Sequence, residues 1–325
     1  MRAVVVRDGD VVLEDRPVPD PAADQVLIRV HGAGLNRADL LQRAGGYPAP
    51  PGVPADIPGL EFAGVIEAAG TNVRRLQPGD RVFGITGGGS QAEFVVTGED
   101  QVARVPAALD LVEAGGIPEA FVTAHDAMFT QAGVHPGNTV LIHAVGSGVG
   151  TAALQLAECL GCTVIGTART QDKLDRCKAL GMHHGVLAGS SVDVEAVSTA
   201  IREAVGDVDV VVDLVGGDYF GVDLAVAAPK ARVVIVGTLA GIKSEINLLT
   251  LMLKRVAVRG TVLRSRSAAE KAAATHAFAG HVLPLLAAGT VRPIVEQVLP
   301  IDEAATAYDL LASDATFGKL ILDCR

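Results

Sequence analysis

Tryptophan is absent from this chain of 325 residues, and phenylalanine and tyrosine together supply only 3% of it. A base-stacking surface for nucleic acid needs aromatic faces, and these are too few to build one. A net charge of -10 argues the same way, because a broad basic face is the electrostatic footprint of a nucleic-acid binder. Cysteine is sparse too, at Cys159, Cys162, Cys177 and Cys324. The C-x-x-C formed by Cys159 and Cys162 has no second ligand pair, so packing is expected of it and no metal site. No apolar run reaches membrane-spanning length, and MRAVVVRDGD is no signal peptide. A cytoplasmic protein with reduced thiols and no membrane or nucleic-acid partner is the expectation.

What is abundant is aliphatic: 49% of the residues are hydrophobic, and the mean hydropathy is +0.37. A chain of this length and composition can bury two cores. Residues 1 to about 120 read as short β-type runs, at Ala3 to Val6, Val11 to Leu13, Gln25 to Val30, Phe62 to Ala68, Arg81 to Ile85, Ala92 to Thr97 and Gln101 to Val105. Asp-Gly and proline-rich turns separate them, which suggests a barrel-like unit. From Ala120 the pattern alternates. Strands are expected at Val140 to His143, Thr163 to Thr167, Val208 to Leu214, Arg232 to Val236 and Val256 to Val262. Helices are expected at Gln171 to Leu180, Val194 to Val205 and Tyr219 to Ala227. Such alternation builds an α/β doubly wound parallel sheet. A last helix from Ala268 to Ala288, then Ala304 to Leu311 and a strand at Lys319 to Leu322, are expected to return to the first unit. The expected division is 1–121, 122–262 and 263–325.

The most informative single stretch is TVLIHAVGSGVGTAALQLA, Thr139 to Ala157. It reads as strand, glycine turn and helix, the construction that brings backbone N–H groups and a helix N-terminus to a pyrophosphate. Gly146, Ser147, Gly148 and Val149 are the candidate contacts. The turn departs from G-x-G-x-x-G, with Val145 and Ser147 at the first two glycine positions, and its glycine spacing also suits a methyltransferase loop. The end of the second strand decides between these. An NAD site wants an acid there for the ribose hydroxyls, but the chain reads Gly166-Thr167-Ala168-Arg169-Thr170. Arg169 offers a fork to a 2′-phosphate, and Lys173 adds a cation one turn on. NADPH is the expected cofactor.

Several stretches together carry a family likeness: LNRADLLQRAGGYPAPPG (Leu35 to Gly52), PGLEFAGVIEAAG (Pro58 to Gly70), IPEAFVTAHDAMF (Ile117 to Phe129), the glycine turn and VLRSRS (Val262 to Ser267). On these the whole chain resembles the medium-chain dehydrogenase/reductase superfamily, in its zinc-free quinone oxidoreductase branch. The resemblance implies a GroES-like catalytic domain and a Rossmann domain with the active site in the cleft between them, and hydride transfer from NADPH to a quinone. It also implies a homodimer joined by sheet edges near Val256 to Val262. Where zinc-dependent members carry Cys and His, this chain has Asn36 and Leu60, neither of them a good zinc ligand. Ala38 replaces their proton-relaying hydroxyl, and no metal is expected.

Within that frame Tyr47 is the best hydrogen-bond donor to a developing oxyanion, with Ser147 second. The bland alternatives are a packing aromatic and a helix cap. Asn36 and Asp39 are candidates for orienting substrate or nicotinamide, and Asp39 can equally be a local cap. Thr123, Gly237, Thr238, Leu263 and Arg264 are expected near the nicotinamide or its ribose, with substrate binding as a second option for Arg264. Reduction of an enone or enal double bond is the alternative activity. A protein that binds NADPH with little turnover is the alternative outside catalysis.

Overall fold

The computed structural model describes residues 1–189 and 191–325. It divides into one unit made of Met1–Val122 with Leu263–Arg325 and a second made of Thr123–Val262. Together they make an α/β protein, with a mostly antiparallel sheet in the first unit and a parallel one in the second.

The first unit starts with a hairpin, β1 (Arg2–Arg7) and β2 (Asp10–Asp15). Its turn, Asp8-Gly9, has φ of 51° and 88°, the paired left-handed geometry of tight hairpins, which Asp-Gly supplies at low cost. The chain continues through β3 (Gln25–Gly34), α1 (Arg37–Arg43), β4 (Glu61–Ala69), β5 (Arg81–Ile85), β6 (Phe94–Gly98) and β7 (Val102–Arg104) to α2 (Pro118–His125). Helix α1 departs from the strand-dominated expectation: Asn36-Arg37-Ala38-Asp39 starts a helix because the Asp39 carboxylate accepts from the Asn36 N–H (2.8 Å).

The second unit runs β8 (Thr139–Ile142), α3 (Gly148–Cys159), β9 (Thr163–Ala168), α4 (Gln171–Lys178), β10 (His184–Leu187), α5 (Val194–Val205), β11 (Val208–Asp213), α6 (Tyr219–Val226), β12 (Ala227–Ile235), α7 (Leu248–Lys254) and β13 (Ala257–Gly260). Its strands pair in the order β10-β9-β8-β11-β12-β13, all parallel. The core packs Leu141, Ile165 and Val211 of the sheet against Ile201 and Val222 of the helices. Strand β10 and helix α7 escaped the sequence reading. HGVL is too short and polar to register as a strand, and LLTLMLK reads as a generic apolar run, since α7 buries none of its residues.

The chain then returns to the first unit with α8 (Ala268–His281), α9 (Leu283–Ala287), β14 (Val295–Pro300), α10 (Ala304–Ala312) and β15 (Lys319–Asp323). The single helix expected from Ala268 to Ala288 breaks at Val282, where Pro284 opens α9. The larger sheet of this unit runs β14-β15-β3-β4-β5-β7, with β6 also on β3. Its core joins Ile28, Phe62 and Ile66 to Tyr308, Leu320 and Leu322. Because β15 lies antiparallel to β3, with Ile321 opposite Gly34, the closing strand sets Lys319 beside Asn36. Among the described residues no helix is long and apolar enough to cross a membrane.

Candidate active site

In the second unit the parallel order places β8 between β9 and β11, so the connections leave in opposite directions. This is the switch point at which such sheets hold ligands beyond the strand carboxyl ends. The turn after β8 opens on Ala144, at φ 49°. Ser147 is the N-cap of α3, its Oγ accepting from the Gly150 N–H at 3.1 Å. That observation favours the capping reading of Ser147, although a hydroxyl that accepts here keeps its own O–H as a donor. The glycine at position 150 is needed: a Cβ there would run into the Val145 carbonyl at 2.7 Å, so helix and strand approach as closely as a dinucleotide fold demands. Gly146 is buried, and Ser147, Gly148 and Val149 are half-buried at the helix start.

Arg169 follows β9 directly and is exposed, with Lys173 half-buried in the first turn of α4. Thr170 caps that helix, accepting from the Lys173 N–H at 3.4 Å, which puts both cations on one corner. Asp213 ends β11, and its Oδ1 accepts from the Val215 and Gly216 N–H groups at 2.8 Å each, fixing the next loop. Gly237 and Thr238 follow β12, and a side chain on Gly237 would strike the Leu214 carbonyl, so two loops pass backbone to backbone. Thr123 lies half-buried in α2, where this unit begins.

In the first unit a buried polar knot surrounds Asn36. The Lys319 ammonium donates to the Leu35 carbonyl (2.5 Å) and Asn36 Oδ1 (2.7 Å), and lies 2.6 Å from Glu61 Oε1. Asn36 Nδ2 donates to the same Glu61 oxygen at 2.9 Å, and the Glu119 N–H donates to Glu61 Oε2 at 2.9 Å. Lys319 is 5% and Glu61 0% exposed, so the pair is viable only because each group is hydrogen-bonded as well as charge-matched. Leu60, beside Glu61, is buried and apolar.

Two sequence candidates in this unit take different roles. Asp39 is wholly buried and accepts from Asn36 N–H, Gly59 N–H (3.3 Å) and Gln91 Nε2 (3.1 Å). These contacts favour the local-cap reading of Asp39 and make it a crosslink between α1, Gly59 and Gln91. Burial pushes its pKa up to about 6 against the pull of those donors. Arg264 is also buried, and its Nε, Nη1 and Nη2 donate to the Gly87 carbonyl (2.8 Å), the Tyr47 carbonyl (2.9 Å) and Gln42 Oε1 (2.6 Å). Its fork ties the loop carrying Tyr47 to Gly87 and to Gln42 of α1, which favours a positioning role. Leu263, next to it, is buried. Tyr47 is half-buried, and burial raises its phenol against the opposing charge of Arg264.

Sequence reasoning passed over Glu61, Glu119 and Lys319. Glu61 and Glu119 sat in plain view within PGLEFAG and IPEAF, but nothing local marks the Glu61 carboxylate as buried. Lys319 lies 283 residues from its partner Asn36, a separation that only the β15–β3 pairing closes. Among the described residues no group of three or more His, Cys, Asp or Glu is arranged to hold a metal ion.

Residues 22–130 match the alcohol dehydrogenase GroES-like domain, and residues 148–278 match the zinc-binding dehydrogenase domain. A quinone oxidoreductase of Sus scrofa is 34% identical over 312 residues, covering 95% of this chain and 92% of that one. The crystal structure of an NAD-dependent alcohol dehydrogenase superposes with a TM-score of 0.85 at 31% identity, covering 99% of each chain. That of the CurK enoyl reductase gives 0.84 at 25% identity, covering 99% of this chain and 98% of the other.

Proposed function

The chain belongs to the medium-chain dehydrogenase/reductase superfamily, an oxidoreductase family that uses pyridine nucleotides, and we propose that within it the protein reduces quinones with NADPH and without a metal. The observation that carries this reading is the knot at Asn36. Zinc needs thiolate, imidazole or carboxylate donors around an open position. Here an amide and a leucine stand at the positions of two ligands of the zinc-dependent members, and the carboxylate beside them already holds an ammonium at 2.6 Å. A divalent ion next to Lys319 would meet a like charge. A quinone tolerates the loss, being electrophilic enough to accept hydride with hydrogen-bond help alone.

The residues present fit a phosphorylated dinucleotide. The α3 N-terminus offers N–H groups at Gly148 and Val149 beyond Gly146, and Ser147 retains a donor for the pyrophosphate. Arg169 and Lys173 supply the paired cations a 2′-phosphate wants where an NAD site carries an acid. Thr123, Gly237 and Thr238 complete the proposed contacts within this unit. When bound, the reduced nicotinamide supplies the hydride. Tyr47 then donates a hydrogen bond to the reduced oxygen, held in place through its own carbonyl by Arg264. Asn36, fixed by Lys319 and Glu61, is the second polar group of the substrate side.

A second reading, reduction of an enone or enal, is favoured by the likeness to the CurK enoyl reductase, since an enolate oxygen asks for the same donor. A homodimer belongs to the proposal as well. β13 is an edge strand exposed along its length, and Leu248, Leu249, Met252 and Leu253 of α7 are exposed in the same unit, a surface that wants covering.

The test is oxidation of NADPH, followed at the nicotinamide absorbance, against benzoquinone, naphthoquinone and phenanthrenequinone beside unsaturated ketones and aldehydes, with NADH as control and zinc measured on the same protein. Turnover of the quinones without stoichiometric zinc is expected. Turnover of the unsaturated carbonyls alone establishes the second reading.

A further inference from the structure

A cavity of about 220 Å³ opens in the Rossmann unit, lined by none of the residues proposed to hold the nucleotide. Its floor is β12 and β13, which pair in parallel with Arg232 opposite Ala257 and Val234 opposite Arg259. Residues opposite one another share a face of the sheet, so both arginines stand on the side of the cavity. Its wall is Thr130 to Gly133. This is the end of a π-helical turn, Asp126–Gln131, closed by the Ala132 N–H on the Ala127 carbonyl five residues back (3.0 Å). Turns of this wide type are rare and recur at functional sites.

The two guanidinium groups are only partly used. Arg232 donates from Nη1 to the Gly133 carbonyl (2.8 Å) and from Nη2 to Asn138 Oδ1 (3.0 Å), and Arg259 donates from Nη1 to the Gln131 carbonyl (2.8 Å). Among the described residues, Nε of each arginine and Nη2 of Arg259 have no acceptor, and neither group has a carboxylate at ion-pair distance. Arginines elsewhere in the chain do: Arg2 meets Glu93, Arg29 meets Glu67 and Arg104 meets Asp80. The acids one contact further out are engaged with other donors. Asp209 accepts from the Thr139 N–H and the Asn138 amide, and Asp126 from Gln131 and Thr261. Arginine stays protonated throughout the working pH range, and a carbonyl, being a dipole, cancels none of its net charge. The cavity therefore faces two cations that nothing in the unit neutralises.

We propose that this cavity is a binding site for phosphate, either the free ion or the head of a small phosphate ester. A phosphate ester carries close to two negative charges at neutral pH, which matches two guanidinium groups, where a lone carboxylate matches one. The unused Nε–Nη2 edge of Arg259 is the fork that takes two oxygens of such a group, and Nε of Arg232 is a further donor to it. Thr130 and Gln131 add polar side chains to the lining. Small-molecule sites usually enclose roughly 300–1,000 Å³, so this one suits a phosphate with few carbons attached. The exposed sheet edge makes no competing demand. β13 presents its backbone groups in the plane of the sheet and these side chains off its face, and pairing a second chain along β13 uses only the former.

The experiment titrates the whole chain with inorganic phosphate and, separately, with glycerol phosphate, by isothermal calorimetry at an ionic strength held constant with sodium chloride. Both should bind, each in competition with the other. Tighter binding of the ester identifies an organic phosphate as the occupant, and equal binding the free ion. Arg259→Gln changes an exposed residue and should weaken phosphate about 10- to 100-fold, the worth of charge-assisted hydrogen bonds. Arg259→Lys keeps the charge without the fork and should recover little. Ala257→Glu is independent of both arginines: it sets an anion in the cavity, leaves their present partners in place and should abolish binding. Either of these two sites of substitution suffices if the other variant fails to fold. Wild-type affinity retained in Arg259→Gln and Ala257→Glu overturns the proposal. So does a loss confined to Arg169→Ala, which would put the phosphate at the nucleotide corner, and so does a wild-type protein that binds neither probe.

Discussion

The guanidinium carbon of Arg264 lies 4.7 Å from the ring centroid of Tyr47, and the same side chain donates to the Tyr47 backbone carbonyl at 2.9 Å. One arginine thus holds both the ring, through its π face, and the peptide that carries it. The remaining donors reach Gly87 and Gln42, so the loop bearing Tyr47 is tied to two other segments of its unit.

Arg264→Ala should therefore cost about 2–3 kcal/mol of stability, because buried acceptors lose their partners, and kcat should fall while NADPH affinity holds. Arg264→Lys should restore charge without the fork and recover little. Urea unfolding and nucleotide titration on the same samples check this. A collapse of NADPH affinity with stability unchanged would instead make Arg264 a cofactor ligand.

The ion pair between Lys319 and Glu61 leads to a second expectation. Lys319→Met leaves Glu61 buried and unpaired and should destabilise the protein by about 3–5 kcal/mol. Adding Glu61→Gln removes the stranded charge and should return part of that loss. A double-mutant cycle in urea measures the coupling, and additive losses would show that the pair contributes nothing beyond its separate hydrogen bonds.

At the corner of the Rossmann unit, Arg169→Ala should weaken NADPH roughly 10- to 100-fold, the worth of a charge-assisted hydrogen bond, and leave NADH nearly unaffected. Equal losses for the two nucleotides, read by fluorescence titration, would remove the 2′-phosphate role.

What the sequence revealed, and what it hid, follows from range. The β8 turn and the Arg169 corner are written in consecutive residues, so strand, cap and cation can be read directly from Thr139 to Lys173. The parallel sheet follows from the alternation of apolar runs. The knot at Asn36 is different in kind. Its members come from β4, the start of α1, α2 and β15, and a Lys or Glu looks the same in sequence whether it faces water or a buried partner. The same limit hid the partners of Asp39 and Arg264: both lie in informative motifs, but only packing shows which groups of the unit their polar atoms meet.

His143 was expected to be a satisfied structural histidine, and its surroundings specify how. It is wholly buried, with Nδ1 2.8 Å from Thr167 Oγ1 and Nε2 2.8 Å from Asp223 Oδ1. Burial drives its pKa down to about 4 and raises that of Asp223, so the pair is neutral with neutral. The carboxylic acid then donates to Nε2, and Nδ1–H donates to Thr167. Asp223→Asn keeps a donor in that place and should cost less than about 1 kcal/mol, whereas a true ion pair would lose about 3–5 kcal/mol. The pH dependence separates the two further. Between the ordinary histidine value of 6.5 and about 4, the unfolded chain binds the His143 proton that the folded protein refuses, so this residue makes stability fall as pH falls. Asp223 works in the opposite sense, since the folded protein keeps a proton that the unfolded chain releases above the ordinary value of 3.8. In the asparagine variant only the histidine term remains, and acid destabilisation across that window should be steeper than in the wild type. Urea midpoints at intervals through the window decide it, and parallel curves with a large constant offset would make the pair ionic.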